Sequence, residues 1–160
     1  MSIDRVREYL KAFHLEDRVR EFSQSSATVE LAAQAAGVEP ARIAKTLSFR
    51  DADGCLLLVA AGDARVDNKR FRDAFGLKAK MLSPDEALAL TGHPVGGVCP
   101  FAMGPKAKVF LDESLRRFDT VLPAAGNDQS AVTLTPEELF SASKAQGWVN
   151  ACKDWRAEEE

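Results

Sequence analysis

The chain has 160 residues, 46% of them hydrophobic and 28% charged, with a formal net charge of −3. That length gives one domain, 1–160, with room for a real core. Ordinary composition with no apolar run near membrane-span length excludes a membrane protein, and the mild negative charge argues against a protein that coats nucleic acid. Three widely spaced cysteines, Cys55, Cys99 and Cys152, fit reduced thiols better than a disulfide frame. The first residues, Met1-Ser2-Ile3-Asp4-Arg5, carry no signal-peptide core, so a cytoplasmic location is expected.

Ser2 is placed to cap a helix whose apolar positions Ile3, Val6, Leu10 and Phe13 recur at helical spacing. Arg18 to Phe22 reads as a short strand. Thr28 caps a helix over Val29 to Ala36, stopped by Gly37. After a turn at Pro40, Ala44 to Phe49 and Cys55 to Ala61 read as strands joined by Asp51-Ala52-Asp53-Gly54, a hairpin signal. Leu56-Leu57-Leu58-Val59 lacks polar alternation, which predicts a strand buried on both faces.

Asp67 to Phe75 reads as a helix closed by Gly76, and Lys78 to Leu82 as a short strand. Ser83-Pro84-Asp85-Glu86 and Thr135-Pro136-Glu137-Glu138 are paired helix-start signatures, each a cap, a proline at the first position and a glutamate at the third. The first helix runs to about Leu90 and the second to Gly147. Strands are expected at Lys108 to Leu111, Thr120 to Ala124 and Ala131 to Leu134, with a helical turn from Asp112 to Arg116. Strands and helices do not alternate strictly. The expected fold is therefore mixed α+β, a twisted mixed sheet flanked by helices, rather than a doubly wound parallel sheet.

The most unusual stretch is Thr91-Gly92-His93-Pro94-Val95-Gly96-Gly97-Val98-Cys99-Pro100-Phe101. Adjacent glycines let a ligand approach the main chain, and flanking prolines restrict the backbone, so the loop can present amides to a carbonyl or phosphate oxygen. An ordinary connecting loop is the plain alternative; the apolar Val95, Val98 and Phe101 favour one that packs down and holds its shape.

Standard catalytic machinery is absent. The chain has only His14, read as a helix-terminal cation, and His93, which has no cysteine or carboxylate at ligand spacing, so no metal or other cofactor is expected. No phosphate-binding loop and no Gly-x-Ser-x-Gly elbow occur. Cys99 lies in the loop, as a candidate nucleophile or as a small packed residue. Lys45 stands in an otherwise mostly apolar strand, either facing solvent by alternation or pointing into a pocket as fixed positive charge.

Three segments carry a resemblance: Arg42-Ile43-Ala44-Lys45-Thr46-Leu47, the run from Gly92 to Pro100, and Val109-Phe110-Leu111-Asp112. Together with the turn at Ala124-Ala125-Gly126, the chain resembles the YbaK/ProX aminoacyl-tRNA deacylases, free-standing relatives of the editing domain in bacterial prolyl-tRNA synthetase. The resemblance implies a twisted mixed sheet closing towards a barrel. It also implies hydrolysis of the ester joining a wrong small amino acid to a tRNA, with a proline tRNA as the implied carrier. The family's lysine falls on Lys45 and its glycine loop on Gly96 and Gly97, the implied catalytic set. Thr28, His93, Val98, Cys99, Pro100, Asp112 and Gly126 are the implied substrate contacts. The implied partners are the CCA end of an aminoacyl-tRNA and a synthetase. The chain departs from the family's pattern at Cys99, where cysteinyl-tRNA deacylases carry serine, at Ala102, and at Gly126-Asn127-Asp128-Gln129, which lacks a basic, glycine-rich turn.

Two basic clusters are candidates for guiding RNA: Lys69, Arg70, Arg72, Lys78 and Lys80, and Lys106, Lys108, Arg116 and Arg117. Three functions remain open on sequence alone: a trans-editing hydrolase, a non-catalytic RNA- or nucleotide-binding module on the same fold, and a module that docks on a synthetase. The first uses both Lys45 and Gly96-Gly97.

Overall fold

The structure is a computed structural model and describes residues 2–52, 54–94 and 96–155. Its central feature is the hairpin of β2 (Ile43–Asp51) and β3 (Gly54–Ala61), paired antiparallel from Ala44↔Ala61 to Asp51↔Gly54. Asp53 of the expected turn lies outside the described residues. Every residue from Cys55 to Ala61 is buried, as the unbroken apolar run predicts. On the far side of β3 lies β5 (Ala107–Asp112), parallel to it, and then β8 (Trp148–Val149). On the other edge, β6 (Leu122–Pro123) pairs parallel with the start of β2. The mixed five-stranded order is therefore β6-β2-β3-β5-β8. Its edge strands β6 and β8 do not pair with each other among the described residues, so the expected closure towards a barrel does not extend to a closed ladder.

Two small antiparallel pairs complete the sheets. β1 (Val19–Glu21) pairs with β7 (Ser130–Val132), and β4 (Arg65–Val66) with β9 (Cys152–Lys153). Five α-helices among the described residues surround them. Helix α1 (Ser2–Lys11) buries Ile3, Val6 and Leu10. Helix α2 (Val29–Ala36) is capped by Thr28 and closed by a left-handed Gly37. Helix α3 (Asn68–Phe75) seats Phe71 and Phe75 on the sheet, in a chain of ring contacts running Phe49–Phe71–Phe75–Phe110 at 4.7, 4.7 and 5.0 Å. Helices α4 (Pro84–Thr91) and α5 (Pro136–Ser143) both begin with complete capping boxes, Ser83 with Glu86 and Thr135 with Glu138.

Several boundaries differ from expectation. The strand expected over Lys78 to Leu82 is reduced to one bridge, Phe49↔Met81. Helix α5 stops at Lys144, in a left-handed conformation with φ 55°, three residues before Gly147. Strands β8 and β9 follow it. No helix among the described residues is long and apolar enough to cross a membrane.

Candidate active site

Strand β2 is the back wall of a cavity of about 390 Å3. Its outer edge is covered at both ends. Leu122 and Pro123 pair with Ile43 and Ala44; further along, Leu82 N–H donates to Ser48 O (3.1 Å) and Arg50 N–H to Lys80 O (2.8 Å). Main-chain groups of successive strand residues address opposite edges. Ser48 and Arg50 address the outer one, so Thr46 does too. Thr46 pairs only with Val59 on the inner side, in the described ladders. The cavity thus sits at a gap in the sheet, with a stretch of unextended strand edge at its back.

The remaining walls come from four places. Ser26 to Val29 lead into α2, Ser83, Pro84 and Ala87 open α4, Ser130 and Ala131 belong to β7, and Gly96 and Val98 come from the Gly/Pro loop. Met81, 57% exposed, stands among the lining residues. Lys45 is the only charged side chain lining this cavity among the described residues. Its ammonium donates to the carbonyl of Ala64, just beyond β3. Burial holds its pKa below the ordinary lysine value, with opposing contributions that include Asp63. One ammonium in a largely apolar recess suits a phosphate or carbonyl oxygen.

The loop is held from behind. His93 is fully buried, its Nε2 2.6 Å from Phe101 O and its Nδ1 2.5 Å from Ser2 Oγ. A carbonyl only accepts, so Nε2 carries the proton and Nδ1 accepts from the serine hydroxyl. This ties both ends of the loop to each other and to α1. Arg5 adds a bond to the carbonyl of Gly92. At the tip, Gly96 takes φ +86° and Gly97 donates its N–H to Pro94 O at 2.9 Å. A Cβ on Gly97 would lie 2.6 Å from Asn127 Cα, because the loop packs directly on the following turn. Ser26 N–H reaches Asp128 O at 2.6 Å on the same side.

Of the residues singled out from sequence, Lys45, Thr28, Gly96 and Val98 line the cavity, with Thr28 also serving as the cap of α2. Gly97, His93, Cys99, Pro100 and Gly126 do not line it. Gly126 is pressed against Ser2. Cys99 is fully buried 3.6 Å from His93 Nε2, and burial pushes its thiol up to about 12. Asp112 is also buried away from the cavity lining; its carboxylate accepts from Ser114 N (3.0 Å) and Ala151 N (2.9 Å), which fixes the chain after β5. Val95 lies outside the described residues. No member of either basic cluster lines the cavity. Several are ion-paired, Lys69 with Asp73, Lys108 with Asp51 and Arg117 with Asp63.

Residues 23–142 match the model of the aminoacyl-tRNA editing domain. The chain belongs to this family. Its class of reaction is aminoacyl-tRNA deacylation. It is 53% identical over 156 residues to the uncharacterized protein YwhH of Bacillus subtilis, covering 97% of this chain and 99% of that one. It is 34% identical over 87 residues to the multifunctional Ser/Thr-tRNA deacylase ProXp-y of Escherichia coli, a match spanning 52% of each protein. A solved crystal structure, suggested to be a trans-editing enzyme for prolyl tRNA synthetase, superposes with a TM-score of 0.86 at 30% identity, covering 95% of this chain and 97% of that one.

Sequence reasoning missed most of the lining of this editing domain's cavity, including Ser26, Thr46, Met81 and Ser130. Thr46 was detectable as the neighbour of Lys45. The other three are brought in by chain segments remote in sequence.

Proposed function

We propose that this editing domain acts in trans, in the cytoplasm, on a tRNA carrying a wrong small amino acid, a proline tRNA being the first candidate. Residues 1–160 work as one unit in this reading. The observation that carries it is the placement of Lys45 as the lone charged group, among the described residues, in a largely apolar cavity whose rim includes Gly96 and Val98. Lys45 engages the phosphate or ribose of the terminal nucleotide. Main-chain N–H groups at Gly96 and Val98 hold the ester carbonyl oxygen as it gains negative charge. The N–H of Gly97 is already given to Pro94, so its part is to shape the turn rather than to bind. Water, oriented by the free hydroxyl of the terminal ribose, attacks the carbonyl carbon and gives up its proton. The ester C–O bond then breaks, and the departing ribose oxygen takes up a proton. An aminoacyl ester is an activated one, so positioning and oxyanion stabilisation carry the rate.

A cavity of about 390 Å3 favours a small amino acid alongside the terminal nucleotide. The two relatives linked by description to Ser/Thr-tRNA and prolyl-tRNA synthetase support the choice of assay substrates. The test is a panel of tRNAs mischarged with alanine, serine, threonine and cysteine, in which loss of the ester is followed with time. Faster loss than without protein supports the reading; binding of the tRNA with no gain in hydrolysis identifies a non-catalytic module instead.

A further inference from the structure

Two hydroxyls of the cavity's lining residues have no partner. Thr46 Oγ1 and Ser130 Oγ are shielded from solvent and make no hydrogen bond among the described residues. Ser130 is 1% exposed. Two other hydroxyls of the lining are engaged: Ser26 Oγ accepts from Ser130 N (3.1 Å) and donates to Ser130 O (3.5 Å), and Thr28 Oγ1 caps α2. The surroundings are otherwise apolar, with Ala32, Ile43, Leu122 and Ala131 forming one buried cluster. A buried hydroxyl without a partner is unfavourable in the empty protein, and valine or alanine would fill the same space without that cost. Rotation about a single χ1 bond redirects either hydroxyl.

We propose that Thr46 and Ser130 are specificity-determining residues that hydrogen-bond the side-chain hydroxyl of a small hydroxylated amino acid. This rests on the deacylase reading above. A substrate hydroxyl both donates and accepts, so it can satisfy both protein hydroxyls at once. An alkyl group of the same size leaves both of them unpaired, which is how a polar site rejects an apolar isostere. Lys45 and the loop amides address the tRNA end and the ester, and neither distinguishes one side chain from another.

The test compares seryl- and 2-aminobutyryl-esters on the same tRNA, since the two side chains differ by hydroxyl against methyl. Rates without enzyme are subtracted. Wild-type kcat/KM should favour the seryl ester by about tenfold or more. Thr46→Val and Ser130→Ala should each reduce that preference, and the double variant should bring it near parity. The melting temperature of Thr46→Val should equal or exceed that of the wild type, because an unpaired hydroxyl is removed. Equal wild-type rates on the two esters, or full preference in a folded double variant, would overturn the proposal while leaving the deacylase reading intact. No enzymatic hydrolysis of any ester in the panel would overturn both.

Discussion

The ammonium of Lys45 donates to the main-chain carbonyl of Ala64, so the connection between β3 and β4 holds in place what is, among the described residues, the cavity's lone charged side chain. A long flexible side chain would otherwise wander; here its direction is set before a ligand arrives. Lys45→Ala should lower deacylation roughly ten- to a hundredfold, the equivalent of about 1.5–3 kcal/mol for one charge-assisted contact. Because burial disfavours the charged form, the melting temperature should hold or rise. Wild-type rates in folded Lys45→Ala and Lys45→Met proteins would remove the residue from the mechanism.

Gly97 should prove structural. A methyl group there meets main-chain atoms of Gly126 and Asn127 at 2.6–2.7 Å, and backbone cannot step aside as a flexible side chain can. Gly97→Ala should therefore cost about 1–3 kcal/mol of stability, as overpacking does, with activity falling in proportion to the folded fraction. Thermal melts and deacylation on one preparation check this. Full stability with lost activity would instead mean that the Gly97 amide itself serves the substrate.

Cys99 is expected to be dispensable for chemistry. It is fully buried and its thiol is pushed up to about 12, so almost no thiolate exists at neutral pH. Cys99→Ser should keep most of the activity, and iodoacetamide should not inactivate the native protein. Inactivation by the reagent that tracks labelling of Cys99 would restore the nucleophile reading.

Acid should loosen the loop through His93. Burial lowers its pKa below the ordinary 6.5, opposed by the Phe101 carbonyl. Between the two values the unfolded chain binds more protons than the folded one, so stability rises with pH there. This contribution is fully present above 6.5 and is lost as pH falls from there through the lower folded value. Melting temperatures of wild type should drop between about pH 7 and pH 5 more steeply than those of His93→Gln. Parallel curves would show that another group controls the acid limb.

What the sequence determined by itself was local. The caps at Ser83 and Thr135 work through hydrogen bonds three residues away, the stop at Gly37 through its own φ of +74°, and the β2–β3 hairpin through a short turn between two strand-forming runs. Lys45 and the loop at Gly96 were legible for a related reason, since each is conspicuous against its immediate neighbours. Tertiary structure decided whatever depended on a distant partner. Two-residue strands such as β8 and β9 exist because Leu111, Asp112, Arg65 and Val66 lie beside them, and no periodicity fits in two residues. His93 and Asp112 were expected as substrate contacts only through the family resemblance. Their hydrogen-bonding capacity is taken up inside the protein by Ser2, Phe101, Ser114 and Ala151. Thr46 and Ser130 are the converse. Thr46 reads as an ordinary strand residue and Ser130 as the residue before one, until the fold places them in one cavity, 84 positions apart in the chain, with hydroxyls that no neighbour among the described residues satisfies. A chain pattern records which groups can bond; only the packed structure leaves particular ones without a partner.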